Sequence, residues 1–349
     1  MRGASGGLRV VSTGRPFPFV PTPPIHCRPL DDRLYVAGIE GLVRDSRIVA
    51  MDRDGVPDTS GMTLPLLVTG LALRDGMAVV GGTQEDGTTV VAAIDLVSGT
   101  TRWVDEVAAT DELSRVVQPV AGTDGVQALW ETGFDRSTLW TAEVGRDGCG
   151  PARPVRFSDL TSDAVAVGVD HGVAMARLHG NEQQLDLLLL DDGDVTASVA
   201  LAARGAGPTP SLGRVGSDVA VVWGDSDRVV VTRVARSSTD PVAELSVPIG
   251  GGRLRSCDVI ADGKSRVVVL WHTEEWGDPE PSPEMPGHDV PARIVAGWLA
   301  VVDTERWELG PAVELDPAGT VHHAGGWLDE RLILVHGGQL PVVTVMEGT

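Results

Sequence analysis

A short pattern recurs seven times along the chain and constrains its fold more than any other feature. In most copies a turn containing Asp, Gly or Ser precedes a run of apolar residues. The first apolar residues of the copies are Leu34, Met77, Val126, Val173, Val219, Val267 and Leu332. They lie 43, 49, 47, 46, 48 and 65 residues apart, and a period of about 40–50 residues is typical of propeller blades. The repeat therefore predicts an all-β, seven-bladed β-propeller of four-stranded antiparallel blades.

The second copy shows the expected strands most clearly. Residues 67–73, 77–81, 89–96 and 101–107 predict four strands, separated by the Gly- and Asp-containing turns that hairpins require. These strands are short, rich in Val and apolar on both faces, which is typical of sheets that pack face to face. No segment has a long helical periodicity, so we expect almost no helix.

The last copy predicts only three strands, at residues 321–326, 331–335 and 341–346. A ring of sheets is stable when it closes, because an open sheet edge invites aggregation. The segment at about 8–14 is therefore the predicted closing strand of this blade, and the Pro-rich residues 16–24 cross into blade one. We expect a single domain over residues 1–349, with an insertion loop at about 272–291 on one face.

Two stretches resemble known propellers. Residues Val79-Val-Gly-Gly and Ala93-Ile-Asp-Leu-Val-Ser-Gly-Thr-Thr-Arg-Trp103 of blade two resemble a blade of the PQQ-like and YVTN-like propeller superfamily. Blades five and six, whose second strands end in Val-Trp223 and Leu-Trp271, are more similar to generic WD40-like or sialidase-like blades. The resemblance implies the fold and leaves the activity open, since one fold hosts many functions.

The charge of the chain limits its partners. It has 28 Lys and Arg against 49 Asp and Glu, a net charge of −21. An acidic surface repels phosphate groups, so we expect neither nucleic acid nor a membrane as partner. The three cysteines, Cys27, Cys149 and Cys257, have no metal-binding spacing, and the first residues do not resemble an export signal. We expect a soluble cytoplasmic protein.

Most of the candidate functional residues map to one face of the predicted ring. In a four-stranded blade the first strand begins, and the second strand ends, on the same face, which we call the top. Seven of the eight histidines map there. The candidate ligand-binding residues at this face are Trp130, Arg177, Trp223, Trp271 and Glu274. Their convergence predicts that a small molecule or a partner protein binds at the top.

The histidines of blades one, six and seven allow three interpretations. His26, His272, His323 and His336 are candidate ligands of a divalent metal, because imidazole suits zinc, iron or copper. Alternatively, His272 or His323 is a candidate for a catalytic acid–base group near neutral pH. The third interpretation is that these histidines are scattered polar residues of the rim.

The aromatic and basic residues at the top also allow more than one interpretation. The three tryptophans predict either an aromatic wall for an apolar or sugar-like ligand or sheet-packing side chains that fill the wide outer part of the blades. Arg28 and Arg177 are candidates for binding a carboxylate or phosphate. Cys27 beside His26 is not expected to form a nucleophile–base pair, because adjacent strand residues point to opposite faces.

These observations leave two classes of function. The first hypothesis is a propeller that binds a small molecule or a protein through its top face and the insertion. The alternative is an enzyme, a lyase, cyclase or hydrolase, with a histidine acid–base or metal site near blades six, seven and one. The sequence carries no Gly-x-Ser-x-Gly elbow or phosphate loop that would favour the enzyme.

Overall fold

A computed structural model gives the fold of the chain. It describes residues 8–19, 21–40, 45–58, 61–107, 114–132, 138–155, 161–180, 183–202, 209–225, 227–236, 240–249, 252–281, 289–315, 322–337 and 341–348. All regular structure in these ranges is β-strand, as the sequence predicts. Among the described residues there is no helix long and apolar enough to span a membrane.

The strands form seven antiparallel sheets arranged as the blades of a propeller. Blades one to three contain β2 (Pro21–Leu30), β3 (Arg33–Glu40), β4 (Ser46–Met51) and β5 (Met62–Leu64); β6 (Leu67–Arg74), β7 (Met77–Thr83), β8 (Thr89–Asp95) and β9 (Thr101–Glu106); and β10 (Ser114–Ala121), β11 (Val126–Thr132), β12 (Thr138–Val144) and β13 (Arg153–Val155). Blades four and five contain β14 (Thr161–Gly168), β15 (Val173–His179), β16 (Gln184–Asp191) and β17 (Asp194–Ala202); and β18 (Ser211–Val215), β19 (Asp218–Asp225), β20 (Arg228–Val234) and β21 (Ala243–Pro248). Blade six contains β22 (Arg253–Ala261), β23 (Val267–Pro281), β24 (Asp289–Asp303), β25 (Glu308–Leu309) and β26 (Val313–Leu315), and blade seven contains β27 (His322–Leu328), β28 (Arg331–Gly337) and β29 (Val342–Gly348) together with β1 (Leu8–Pro16).

The ring is closed as the sequence predicts. Strand β1 pairs antiparallel with β29, from Leu8 opposite Gly348 to Pro16 opposite Val342, and completes blade seven. The Pro-rich segment differs from the expectation, because β2 already begins at Pro21 instead of after a crossing. Prolines are tolerated there because β2 is an innermost strand, whose free edge faces the channel and needs no N–H donors.

Apolar residues alternate between two neighbouring interfaces. Along β7, Ala78 and Val80 pack against blade one, whereas Val79 between them packs against blade three. The described apolar side chains form seven such clusters, each built from two successive blades. This explains why the strands are apolar on both faces.

The turn signals of the repeat also have a clear structural basis. Asp75 and Gly76, between the first two strands of blade two, both have positive φ angles, 50° and 72°. Two successive residues of this kind form the type I′ turn that matches the twist of a hairpin. Asp31 and Asp329 have similar φ angles, 54° and 51°, at the corresponding turns of blades one and seven.

Within the insertion expected at 272–291, residues 272–281 and 289–291 are strand, and residues 282–288 lie outside the described part of the chain. β23 and β24 continue as a ladder as far as the pair Pro281 and Asp289. We call its outer part, residues 275–281 and 289–294, the arm. A register shift between Trp276 and Pro279 lets the ladder accommodate its prolines.

Candidate functional site

The top half of the central channel holds a cavity of about 470 Å³. Residues from all seven innermost strands line it, and a branch extends between blades three and four along Leu129, Leu139 and Met175. A second cavity of about 290 Å³ occupies the lower half of the channel. The upper cavity lies at the face where the sequence predicts a site.

One residue of each innermost strand occupies the same level of the upper cavity. Each of them pairs with the fourth apolar-repeat residue of the second strand in its own blade. The seven residues are His26, Leu71, Gln118, Val165, Ser211, Asp258 and Ala324. Four of the seven are polar. We call these seven residues the polar level.

Three members of the polar level, Gln118, Ser211 and Asp258, form hydrogen bonds that link successive blades. Gln118 donates from Nε2 to the carbonyl of Ala164 at 2.7 Å and accepts at Oε1 from the amide of Ala166 at 3.0 Å. Ser211 donates to Oδ1 of Asp258 and accepts from the amide of Val259 at 3.2 Å. These bonds link successive blades, so their sequence separations of 46–48 residues match the blade period.

His26 is a neutral acceptor inside this cavity. Burial, followed by the charge of Arg28, lowers the pKa of its imidazole to about 3, against the opposing effect of a hydrogen bond to the backbone of Thr69. Because that bond favours the protonated ring, we infer that Nδ1–H donates to the Thr69 carbonyl. Nε2 is buried and has no hydrogen-bond partner among the described residues, so it presents a free lone pair to them.

The low pKa of His26 predicts an acid-sensitive stability. Between pH 6.5 and about 3 the unfolded chain binds a proton at His26 that the folded protein does not bind, so stability falls as the pH falls. At about 1.4 kcal/mol per pH unit, lowering the pH from 7 to 5 should cost the wild type about 2 kcal/mol more than it costs His26→Gln. Denaturant unfolding at both pH values measures this difference.

The control for this prediction is His171→Gln, at an exposed turn on the opposite face. It should keep the steep loss of stability seen in the wild type. Equal losses in the wild type and His26→Gln would contradict the prediction.

Arg28 and Asp258 bring opposite charges to the same cavity. Arg28 lies two residues beyond His26 on β2, and its Nη1 donates to the carbonyl of Cys27 at 2.9 Å. Confinement in the channel lowers the pKa of the Arg28 guanidinium, and burial raises the pKa of the Asp258 carboxyl. Neither residue forms an ion pair within 4 Å among the described side chains.

The three predicted rim tryptophans are packing residues and form no ligand-facing wall. Trp130, Trp223 and Trp271 are 1%, 3% and 2% exposed. Each lies four residues after the start of its apolar run and packs against the preceding blade. Alternation along the second strand turns this position into the interface between blades, away from the open rim.

Arg177 is likewise buried and does not reach the open face. It is 5% exposed, and its guanidinium lies 3.5 Å from the carboxylate of Asp186 on the adjacent strand. His179 contacts the same carboxylate through Nε2 at 2.8 Å. The predicted ligand-binding arginine is therefore part of a buried charged cluster within blade four.

The candidate metal ligands are spread over three sheets, with His26 in blade one, His272 in blade six, and His323 and His336 in blade seven. His272 is 3% exposed and contacts Ser256 Oγ through Nδ1 at 2.9 Å within blade six. His336 is 5% exposed and contacts Thr344 Oγ1 through Nε2 at 2.8 Å within blade seven. His323 pairs with His336 across the strands, and its side chain lies outside the described part. No group of three His, Cys, Asp or Glu among the described residues could hold a metal ion.

The structure also places Glu274 and Cys27, which the sequence analysis considered. Glu274 lies in β23 with its carboxylate 3.9 Å from Arg255 Nη1, beside the base of the arm. Cys27 packs in the apolar cluster between blades seven and one, and burial raises the pKa of its thiol to about 12. As expected, Cys27 does not face the same way as His26.

The sequence did not single out Asp258, Gln118 or Ser211. Alignment of the first strands through their partners in the apolar repeat would have found them, since all three occupy one register position. The first strands vary too much in sequence for this register to be read without the pairing.

Comparisons with known proteins agree on the fold. The chain is similar in structure to the β-propeller domain of Cps50 (Swd1) from Myceliophteria thermophila, with a TM-score of 0.62, 11% identity and coverage of 98% of this chain and 100% of that chain. It is also similar to the Dos1 propeller, with a TM-score of 0.55, 9% identity and coverage of 97% and 95%. The WD40 repeats of RRP9 match with a TM-score of 0.55, 11% identity and coverage of 95% and 99%.

No family model and no curated protein sequence matches the chain. At identities of 9–11% the structural likeness concerns the fold. The chain is a seven-bladed β-propeller with a fold-level resemblance to WD40 propellers.

Proposed function

We propose that this chain is a binding propeller that holds a small molecule in the top half of its central channel. The observation that carries the proposal is the cavity of about 470 Å³ lined by all seven innermost strands. Small-molecule sites typically have about 300–1,000 Å³ and mostly apolar walls with a few convergent polar groups. Here Ile25, Leu71 and Leu212 provide apolar wall, and Arg28 and Asp258 provide charge.

Two observations favour binding over catalysis. His272, the predicted acid–base residue, is buried in its sheet and is not among the residues that line the cavity. His26 does line it, but a pKa of about 3 makes its imidazole too weak a base to take up a proton near neutral pH. The acid–base role of His323 stays a prediction.

A partner protein at the top face is the second candidate. The pairing of β23 with β22 ends at Glu274, and the pairing of β24 with β26 does not reach Ala296. In the arm, therefore, neither strand has a further partner among the described strands. Such free edges accept an added strand from a partner. The acidic residues of the arm, among them Glu275, Asp278 and Glu280, would favour a basic one.

The cysteines bear on the choice between binding and catalysis. Cys27, Cys149 and Cys257 are all free in the structure. Burial raises the pKa of Cys149 to about 12, as it does for Cys27, which makes both thiols poor nucleophiles. We therefore assign the cysteines no catalytic role.

Filling the cavity tests the proposed function. Val116 lines the cavity and is 43% exposed, so Val116→Trp adds bulk to the cavity with little loss of core packing. In saturation-transfer NMR with pools of amino acids, sugars, nucleosides and carboxylic acids, we expect ligands of the wild type to lose at least about 90% of their signal on this variant.

The matched control is Val97→Trp, at a surface turn where Val97 is 94% exposed. It should bind as the wild type does. Ligands that bind Val116→Trp unchanged, or a partner captured only by a protein with an intact arm, would overturn the channel site.

A further inference from the structure

We infer that the cavity takes a zwitterionic, amino-acid-like ligand whose carboxylate meets Arg28 and whose ammonium group meets Asp258. The inference rests on the proposed function and specifies its ligand. It starts from two opposite charges that line one cavity without pairing with each other.

The free groups of these two residues are complementary to a zwitterion. The one hydrogen bond that Arg28 donates among the described residues goes to its own neighbour, Cys27. The bonds that Asp258 accepts, from Ser211 and the amide of Val259, both end at Oδ1. The remaining guanidinium N–H groups can bind a carboxylate, and Oδ2 can accept from an ammonium group.

The space between the two charges is open because blade seven contributes only small residues there. Ala324 and Gly325 form the wall between blade six, which carries Asp258, and blade one, which carries Arg28. A Cβ at Gly325 would lie 2.6 Å from the carbonyl oxygen of Ile333 and 3.0 Å from Ile260 Cδ1. A larger residue is therefore excluded, and no side chain beyond a methyl separates the two charges along this wall.

The cavity also penalises a ligand of single charge. Arg28 is exposed to the open channel and Asp258 is half-buried, but partial loss of water disfavours the charged form of each, so each gains from an opposite charge brought by a ligand. An anion would pair with Arg28 and repel Asp258, and a cation would do the reverse. Only a ligand with both charges serves both groups and leaves the net charge of the cavity unchanged.

His26 adds a reason to expect an ammonium group. Its buried Nε2 lone pair needs a donor, and an ammonium group carries three N–H donors. Glu131 also lines the cavity, at the branch between blades three and four, and it already has a polar partner. The apolar residues of this branch, Leu129, Leu139 and Met175, favour an apolar side chain on the ligand.

The test compares three forms of one molecule: L-leucine, its methyl ester and N-acetyl-L-leucine. Isothermal titration of the wild type should show leucine binding at least about 10-fold more tightly than either derivative, because each derivative leaves one of the two charges in the cavity unpaired. Asp258→Asn should abolish the preference over N-acetyl-leucine, and Arg28→Gln the preference over the ester. Val97→Trp serves as the control and should keep both preferences.

The outcomes separate this inference from the proposed function. If the ester, the acetyl derivative or an uncharged compound binds as tightly as leucine, and Val116→Trp blocks that binding, the channel site stands and the zwitterionic ligand is wrong. If no compound of the panel is blocked by Val116→Trp, both proposals fail. Circular dichroism of Asp258→Asn, Arg28→Gln and the charge-preserving Arg28→Lys checks that losses do not reflect unfolding.

Discussion

Deleting residues 8–16 is expected to destabilise the protein by about 3–6 kcal/mol and to make it self-associate. Strand β1 pairs with β29 at six positions, and ladder hydrogen bonds contribute about 0.5–1.5 kcal/mol each. The deletion also removes the contact between Thr13 and Thr344 at 2.9 Å, and Thr344 in turn contacts the buried His336. Most of the effect comes from the backbone, because most side chains of β1 are exposed.

The measurement is denaturant unfolding combined with light scattering at several concentrations. A double variant, Val10→Thr and Val11→Thr, is the control, because both residues are about half exposed and the ladder stays intact. A synthetic peptide of residues 6–18 should restore part of the lost stability by pairing with the open edge of β29. A truncated protein that unfolds at the same denaturant concentration as the full chain would show that closure by β1 is not needed for stability.

Trp271→Ala is expected to cost about 3–5 kcal/mol, as removal of a buried aromatic side chain usually does. Trp271 is 2% exposed and packs in the cluster between blades five and six. Trp271→Phe should cost much less, because the indole N–H of Trp271 is buried without a hydrogen-bond partner among the described residues and phenylalanine removes that unsatisfied donor. Equilibrium unfolding in urea gives both values.

Val97→Ala, at a residue that is 94% exposed, should change the free energy of unfolding by less than about 0.5 kcal/mol. If Trp271→Ala kept its stability but lost ligand binding, the tryptophan would belong to a site on the rim. That result would restore the aromatic wall that the sequence allowed as one of two interpretations.

For the candidate site residues, the sequence predicts the position along a strand but not the direction of the side chain. Trp130, Trp223 and Trp271 end their apolar runs at the top, and the sequence shows the position along the strand. It does not show towards which neighbouring blade the side chain turns, since that depends on how the sheets stack. Arg28 was a candidate from its position alone, and only the pairing of β2 with β3 places it in the channel.

The sequence by itself determined the number of blades, the four strands of most of them, and the closing role of the N-terminal strand. These features depend on the repeat period and on the residues at each turn, and both can be identified from the order of residues along the chain. Only the tertiary structure brought Asp258 into the same cavity as His26 and Arg28, more than 200 residues away. Closure of the ring brings these residues together, because blade six and blade one both lie next to blade seven only when all seven sheets are arranged around one axis.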